Sequence, residues 1–130
     1  MIPLAECGVW PRMGELPDAA TTGTVVDTAE YIRPYLSGKK KMNPKMKRAL
    51  YIEKLGNFAE IITEHVPIIV LEDSVIRHSK LRPKKEREAY QRCAYDIDDG
   101  NHRAVSLALA GKTHIIALVG KRMYKSDLLF

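Results

Sequence analysis

Tyr95-Asp96-Ile97-Asp98-Asp99-Gly100-Asn101-His102-Arg103, continued by Ala104-Val105-Ser106-Leu107-Ala108-Leu109-Ala110-Gly111, carries the strongest structural pattern in the chain. Tyr95 and Ile97 stand two apart, as apolar residues do on one face of a strand. Asp98, Asp99 and Gly100 then break that alternation with turn chemistry. Ala104 to Ala110 is rich in helix formers, and Gly111 stands where a helix takes its C-terminal glycine. The pattern is strand, tight polar turn, helix. It gathers Asp99, Asn101, His102 and Arg103 around one helix start.

A helix start carries unpaired backbone N–H groups and the positive end of the helix dipole, so it favours anions. Gly100 lets a ligand approach the backbone. Arg103 offers a planar donor fork that matches phosphate. His102 can donate a hydrogen bond or move a proton near neutral pH. Asp99 or Asp98 can hold a magnesium ion against a phosphate. The alternative is structural: Asp98 and Asp99 cap the helix, and His102 and Arg103 are solvated first-turn side chains.

Outward from the turn, His114-Ile115-Ile116-Ala117-Leu118-Val119 reads as a following strand, ended by Gly120-Lys121-Arg122. Upstream, Pro67 forces the chain out of helix. Ile68-Ile69-Val70-Leu71 after it is apolar on both faces, as in an interior strand. Asn43-Pro44 is a helix start, an N-cap residue followed by proline at the first helical position. That helix is expected to reach about Glu64. Met46, Leu50, Tyr51, Leu55, Phe58 and Ile62 form its apolar stripe, directed at the sheet, with Lys45, Arg48 and Glu60 on the opposite face. Thr28 to Leu36 is expected to give one or two helical turns limited by Pro34. Ile2-Pro3-Leu4 and Thr24-Val25-Val26 read as short strands. Trp10 suits a buried packing role, or a lid over the pocket.

Asp99-Gly100-Asn101-His102-Arg103, between a strand and an alanine-rich helix ending in glycine, resembles the signature of the ParB/sulfiredoxin-like superfamily. The similarity spans roughly 43 to 119. It implies a small α/β (α+β) domain with a mixed sheet packed against helices, and a turn that holds nucleotide phosphates. Sulfiredoxins carry a catalytic cysteine at the position of Asn101, so sulfinic acid reduction is not implied. Partition-type members that bind CTP carry further arginines where Ala104 and Val105 stand. The single His-Arg pair is most similar to the branch of small nucleases and free-serine kinases. Against the family pattern, Glu72 to Cys93 reads as a basic insertion (residues 73–93) in a single domain over residues 1–130.

At 130 residues the chain suits one domain that needs no disulfide or metal for its core. Cys7 and Cys93 lack metal-ligand spacing and read as reduced thiols of an intracellular, cytoplasmic protein. No apolar run approaches the ~20 residues of a membrane helix, and the first residues do not read as a signal peptide. The formal charge of +5 points to an anionic partner. Lys39, Lys40, Lys41, Lys45, Lys47 and Arg48 form one basic block without an acid. Arg77, Lys80, Arg82, Lys84, Lys85, Arg87 and Arg92 form a second. Such blocks neutralise backbone phosphates in a salt-sensitive way; the alternative is a pair of solvated loops.

Three functions follow as expectations. The first is nucleic-acid binding, extending to cleavage. Gly100, Asn101, His102 and Arg103 would bind the phosphate, Asp99 and Asp98 would hold Mg2+, and His102 and Asp99 would be catalytic. Lys39, Lys40, Lys41, Lys45, Arg82, Lys84 and Lys85 would grip the nucleic acid. The second is phosphoryl transfer from a nucleotide (ATP, ADP or CTP) to a small acceptor, with Glu30 or Glu53 as base. The third is a non-catalytic nucleotide or DNA adaptor. A homodimer is a further expectation, from the apolar Leu128-Leu129-Phe130. A membrane partner is not expected.

Overall fold

Residues 1–10, 16–21, 23–72 and 93–121 are described by a computed structural model. Along them the chain forms β1 (Ile2–Pro3), β2 (Cys7–Gly8), α1 (Val25–Leu36), α2 (Lys47–His65), β3 (Ile68–Glu72), β4 (Tyr95–Asp99), α3 (Asn101–Leu109), β5 (His114–Ile115) and β6 (Ala117–Lys121). The insertion expected at 73–93 lies, but for Cys93, outside the described residues, as does the apolar end of the chain.

The helix after the polar turn is the middle of the fold. Ala104, Val105, Ser106, Leu107 and Ala108 are consecutive and all buried, so α3 is enclosed on every side. Such enclosure requires small residues, and alanines let α1 and α2 come close on either flank. Full burial of Val105 and Leu107 contributes about 1.5–3 kcal/mol each. The helix ends as expected at Gly111. The Gly111 amide donates to the Ala108 carbonyl at 3.0 Å and the Lys112 amide to the Leu107 carbonyl at 3.0 Å. These are the paired bonds of a Schellman cap.

Four strands make a mixed sheet in the order β2-β4-β3-β6. β2 runs parallel to β4, β3 antiparallel to β4, and β3 parallel to β6. The apolar run of β3 is therefore interior to the sheet, as its sequence predicts. Ile68 and Val70 are buried, whereas Ile69 turns to the outer face and stays 37% exposed. β1 pairs with β5 in a separate antiparallel ribbon. The result is a small α/β domain in which a mixed sheet packs against helices.

Several local expectations are corrected. Val25 and Val26 are helical: α1 begins at a capping box, in which Thr24 accepts from the Asp27 amide at 3.2 Å and Asp27 accepts from the Thr24 amide at 3.0 Å. That pair overrides the strand preference of two β-branched residues. The helix also runs through Pro34 rather than stopping short of it. Pro44–Met46 is a 3-10 turn ahead of α2, and Asn43 makes no side-chain cap. Of the stripe expected to pack, Met46 is buried and Leu55 is partly buried against the core, but the rest is not. Leu50, Tyr51, Phe58 and Ile62 are exposed, and Ala49, Ile52, Ala59 and Thr63 are buried instead. Their spacings of three, seven and four keep them on one helix face, and the small residues among them suit a helix pressed against α3. The backbone of α2 is also broken at Gly56 (φ 37°, ψ −123°). The last expected strand is two strands, because Ile116 lies between β5 and β6 as the chain passes from the ribbon to the sheet.

Candidate phosphate-binding site

β4 continues through Asp98 and Asp99, two residues past the point where the alternation ends. It does so by a bulge. Val70 pairs with Ile97 and Ile69 pairs with Asp99, leaving Asp98 as the extra residue. Gly100 then takes φ 104° and ψ 20°, a left-handed conformation, and is the residue before α3. Only glycine fits there, since a Cβ would lie 2.7 Å from Ile68 Cβ and 3.1 Å from Arg103 Nη2. No side chain among the described residues caps the helix. The first-turn amides of Asn101, His102 and Arg103 therefore have no intrahelical acceptor.

Each predicted side chain has a definite place. Asn101 Oδ1 accepts a hydrogen bond from the Trp10 amide at 3.0 Å, tying the segment after β2 to the turn. Trp10 itself is 48% exposed and not buried, contrary to the packing role expected of it. Arg103 Nη1 donates to the Val66 carbonyl, and Nη2 lies 3.7 Å from Asp99 Oδ2. Its side chain is 12% exposed. Arg103 thus clamps the entry of β3 to the exit of β4, and two of its donor nitrogens are engaged in doing so. Asp98 and Asp99 are exposed.

His102 sits against α2. Its ring meets Tyr51 edge to face, with centroids 5.6 Å apart, and the Arg48 guanidinium lies 5.6 Å from the Tyr51 ring centroid. Burial is the main reason its imidazole is pushed below its ordinary pKa, and the positive charge of Arg48 adds to it. His102 is therefore neutral at neutral pH. Its Nε2 is buried and has no hydrogen-bond partner among the described residues. Arg48 and Tyr51 belong to the site although the turn sequence did not indicate them. Their signal was positional: they are three apart, and so share one face of α2.

The other predicted residues fall elsewhere. Lys39, Lys40, Lys41 and Lys45 are exposed on the segment between α1 and α2. Lys40 lies over Tyr35, 5.6 Å from its centroid, rather than at the turn. Arg82, Lys84 and Lys85 are outside the described residues. Among the described residues no three His, Cys, Asp or Glu side chains converge as a cation site. Asp98 and Asp99 fit a magnesium ion only as one or two carboxylates completed by phosphate oxygens and water. Glu30 pairs with Arg33 at 3.5 Å, and Glu53 lines a cleft with Leu109 and Ala110 at the far end of α3. Neither carboxylate faces the turn. Cys7 and Cys93 are buried and form no disulfide among the described residues; burial first, then Cys93, pushes the Cys7 thiol up to about 12. No helix of the described residues is long and apolar enough to cross a membrane.

The chain matches no known family profile, no curated protein sequence and no solved structure.

Proposed function

We propose that this chain is a phosphate-binding domain of the ParB/sulfiredoxin type that associates with nucleic acid through the start of α3. The observation that carries the reading is the helix start behind left-handed Gly100, with no side-chain cap among the described residues and with the Arg48 charge acting on His102 in its first turn. Amides without an intrahelical acceptor and a helix dipole attract an anion, and Arg48 adds a full charge that acts on His102. Arg48 is also the last residue of the basic block that begins at Lys39, so the exposed lysines lead toward the site along the chain. A phosphate seated on the amides of Asn101 to Arg103 would have neighbouring phosphates within reach of that block.

Cleavage is the extension of this reading. Neutral His102 is the base form of imidazole, and Asp99 with Asp98 would share Mg2+ with the bound phosphate. Nucleotide-dependent phosphoryl transfer is less well supported, because Glu30 and Glu53 lie away from the turn.

Fluorescence anisotropy with a labelled duplex at two salt concentrations tests the proposal. Affinity should fall with salt, and Arg48→Ala should lower the slope of log K against log salt by about 1, the value for one lost phosphate contact. Binding that is absent, or unchanged in slope in that variant, would overturn it. ATP, ADP and CTP with Mg2+, run in parallel as competitors, separate nucleotide recognition from nucleic-acid recognition.

A further inference from the structure

A second cleft lies at the other end of α3, where no part of the proposed phosphate site reaches. From Asn101 to Leu109 the helix axis advances by about 12 Å. The cleft has a volume of about 290 Å3 and is walled by α1, α2 and α3. Leu36, Leu109 and Ala110 supply apolar surface, and Arg33, Ser37, Glu53 and Ser106 supply polar groups.

The polar groups are unevenly satisfied. Arg33 is paired with Glu30 at 3.5 Å and donates to the Leu109 carbonyl at 3.3 Å. Ser37 donates to the Pro34 carbonyl at 3.3 Å. Ser106 is different. It is 2% exposed, it lines the cleft, and its Oγ has no hydrogen-bond partner among the described residues. An unmet buried hydroxyl is costly. Glu53 is exposed at the cleft and makes no ion pair among the described residues. The break of α2 at Gly56 is in the same wall. Both α1 and α3 end here, at Leu36 and Leu109, so two helix C-termini turn their carbonyl ends and negative dipole ends toward the cleft.

We propose that this cleft binds a small organic amine. The spare groups are a carboxylate and a hydroxyl able to accept, in a field made negative by two helix ends. The one lining cation is already neutralised. A primary ammonium would donate to Glu53 and Ser106, and a short aliphatic body would lie along Leu36, Leu109 and Ala110. The volume is at the small end of ligand pockets, which suits a chain of a few carbons rather than a cofactor.

The test is an NMR titration of the whole chain with butylamine and putrescine, with 1-butanol and butyrate as shape-matched probes of other charge. The proposal expects saturable shifts of the Gly56, Ser106 and Ala110 amides with the two amines, and none with butanol or butyrate. Glu53→Gln should weaken amine binding at least tenfold, and Ser106→Ala should weaken it severalfold. Glu53 is exposed, so its variant keeps the fold and decides the matter if Ser106→Ala does not fold. Saturation by butyrate or butanol as strong as by the amines would overturn the proposal. So would the absence of saturation with either amine, or amine affinity unchanged by Glu53→Gln.

Discussion

Gly100→Ala is the substitution with the most to say about the turn. Gly100 holds φ 104°, where an L-residue is strained; the left-handed region costs alanine about 1–2 kcal/mol. The added Cβ would also stand 2.7 Å from Ile68 Cβ and closer still to its Cγ2, inside van der Waals contact with a fully buried side chain. Overpacking of this kind costs about 1–3 kcal/mol. The sum is a loss of about 2–5 kcal/mol, a large part of the 5–15 kcal/mol typical of a domain. For a chain of this length that is a fall in Tm of roughly 6–20 °C. Urea unfolding followed by circular dichroism measures it. Ile68→Ala removes the Cγ2 that the new Cβ strikes, so the two substitutions together should cost less than their sum, by about 1 kcal/mol. A loss below about 0.5 kcal/mol for Gly100→Ala, the range of an ordinary surface substitution, would refute both the left-handed geometry and the contact with Ile68.

Arg103→Ala should destabilise by about 1.5 kcal/mol, since a charged donor to the Val66 carbonyl is lost, whereas Asp99→Asn should cost less than about 0.5 kcal/mol because its side chain is 66% exposed; thermal unfolding of both variants checks the contrast. His102 has a folded pKa below its ordinary 6.5. The unfolded chain therefore binds its proton first as pH falls, and stability should decline through and below that value. His102→Gln should flatten this part of the stability profile. Arg48→Ala removes the lesser of the two causes of the lowered pKa, so NMR titration should find the His102 pKa raised but still depressed by burial.

What was legible in the sequence was what local chemistry decides. The turn at Gly100, the Schellman glycine at Gly111 and the strand after Pro67 each rest on residues a few positions apart, and each stands in the structure. The misread elements depend on partners distant in sequence. Large apolar residues on α2 were expected inside, yet α2 packs against α3 and buries Ala49, Ile52, Ala59 and Thr63 while Leu50, Tyr51, Phe58 and Ile62 stay exposed. Val25 and Val26 favour strand until Thr24 and Asp27 close a capping box around the helix start. At the site, the five turn residues were readable as a group, but their occupations were not. Asn101 holds Trp10, 91 positions away, and Arg103 holds Val66, 37 positions away. The arginine fork that suggested phosphate recognition is engaged by the Val66 carbonyl and the Asp99 carboxylate, and Arg48 of α2 brings a further cation.

A phosphate seated on the first-turn amides of α3 is directly observable by NMR. Titration of the 15N-labelled chain with a short duplex, and separately with inorganic phosphate, reads those amides one by one. Asn101, His102 and Arg103 are expected to shift most, in a saturable and salt-sensitive way, with the Arg48 side chain following. Shifts confined to the Lys39–Lys41 segment, with the three amides unmoved, would contradict it.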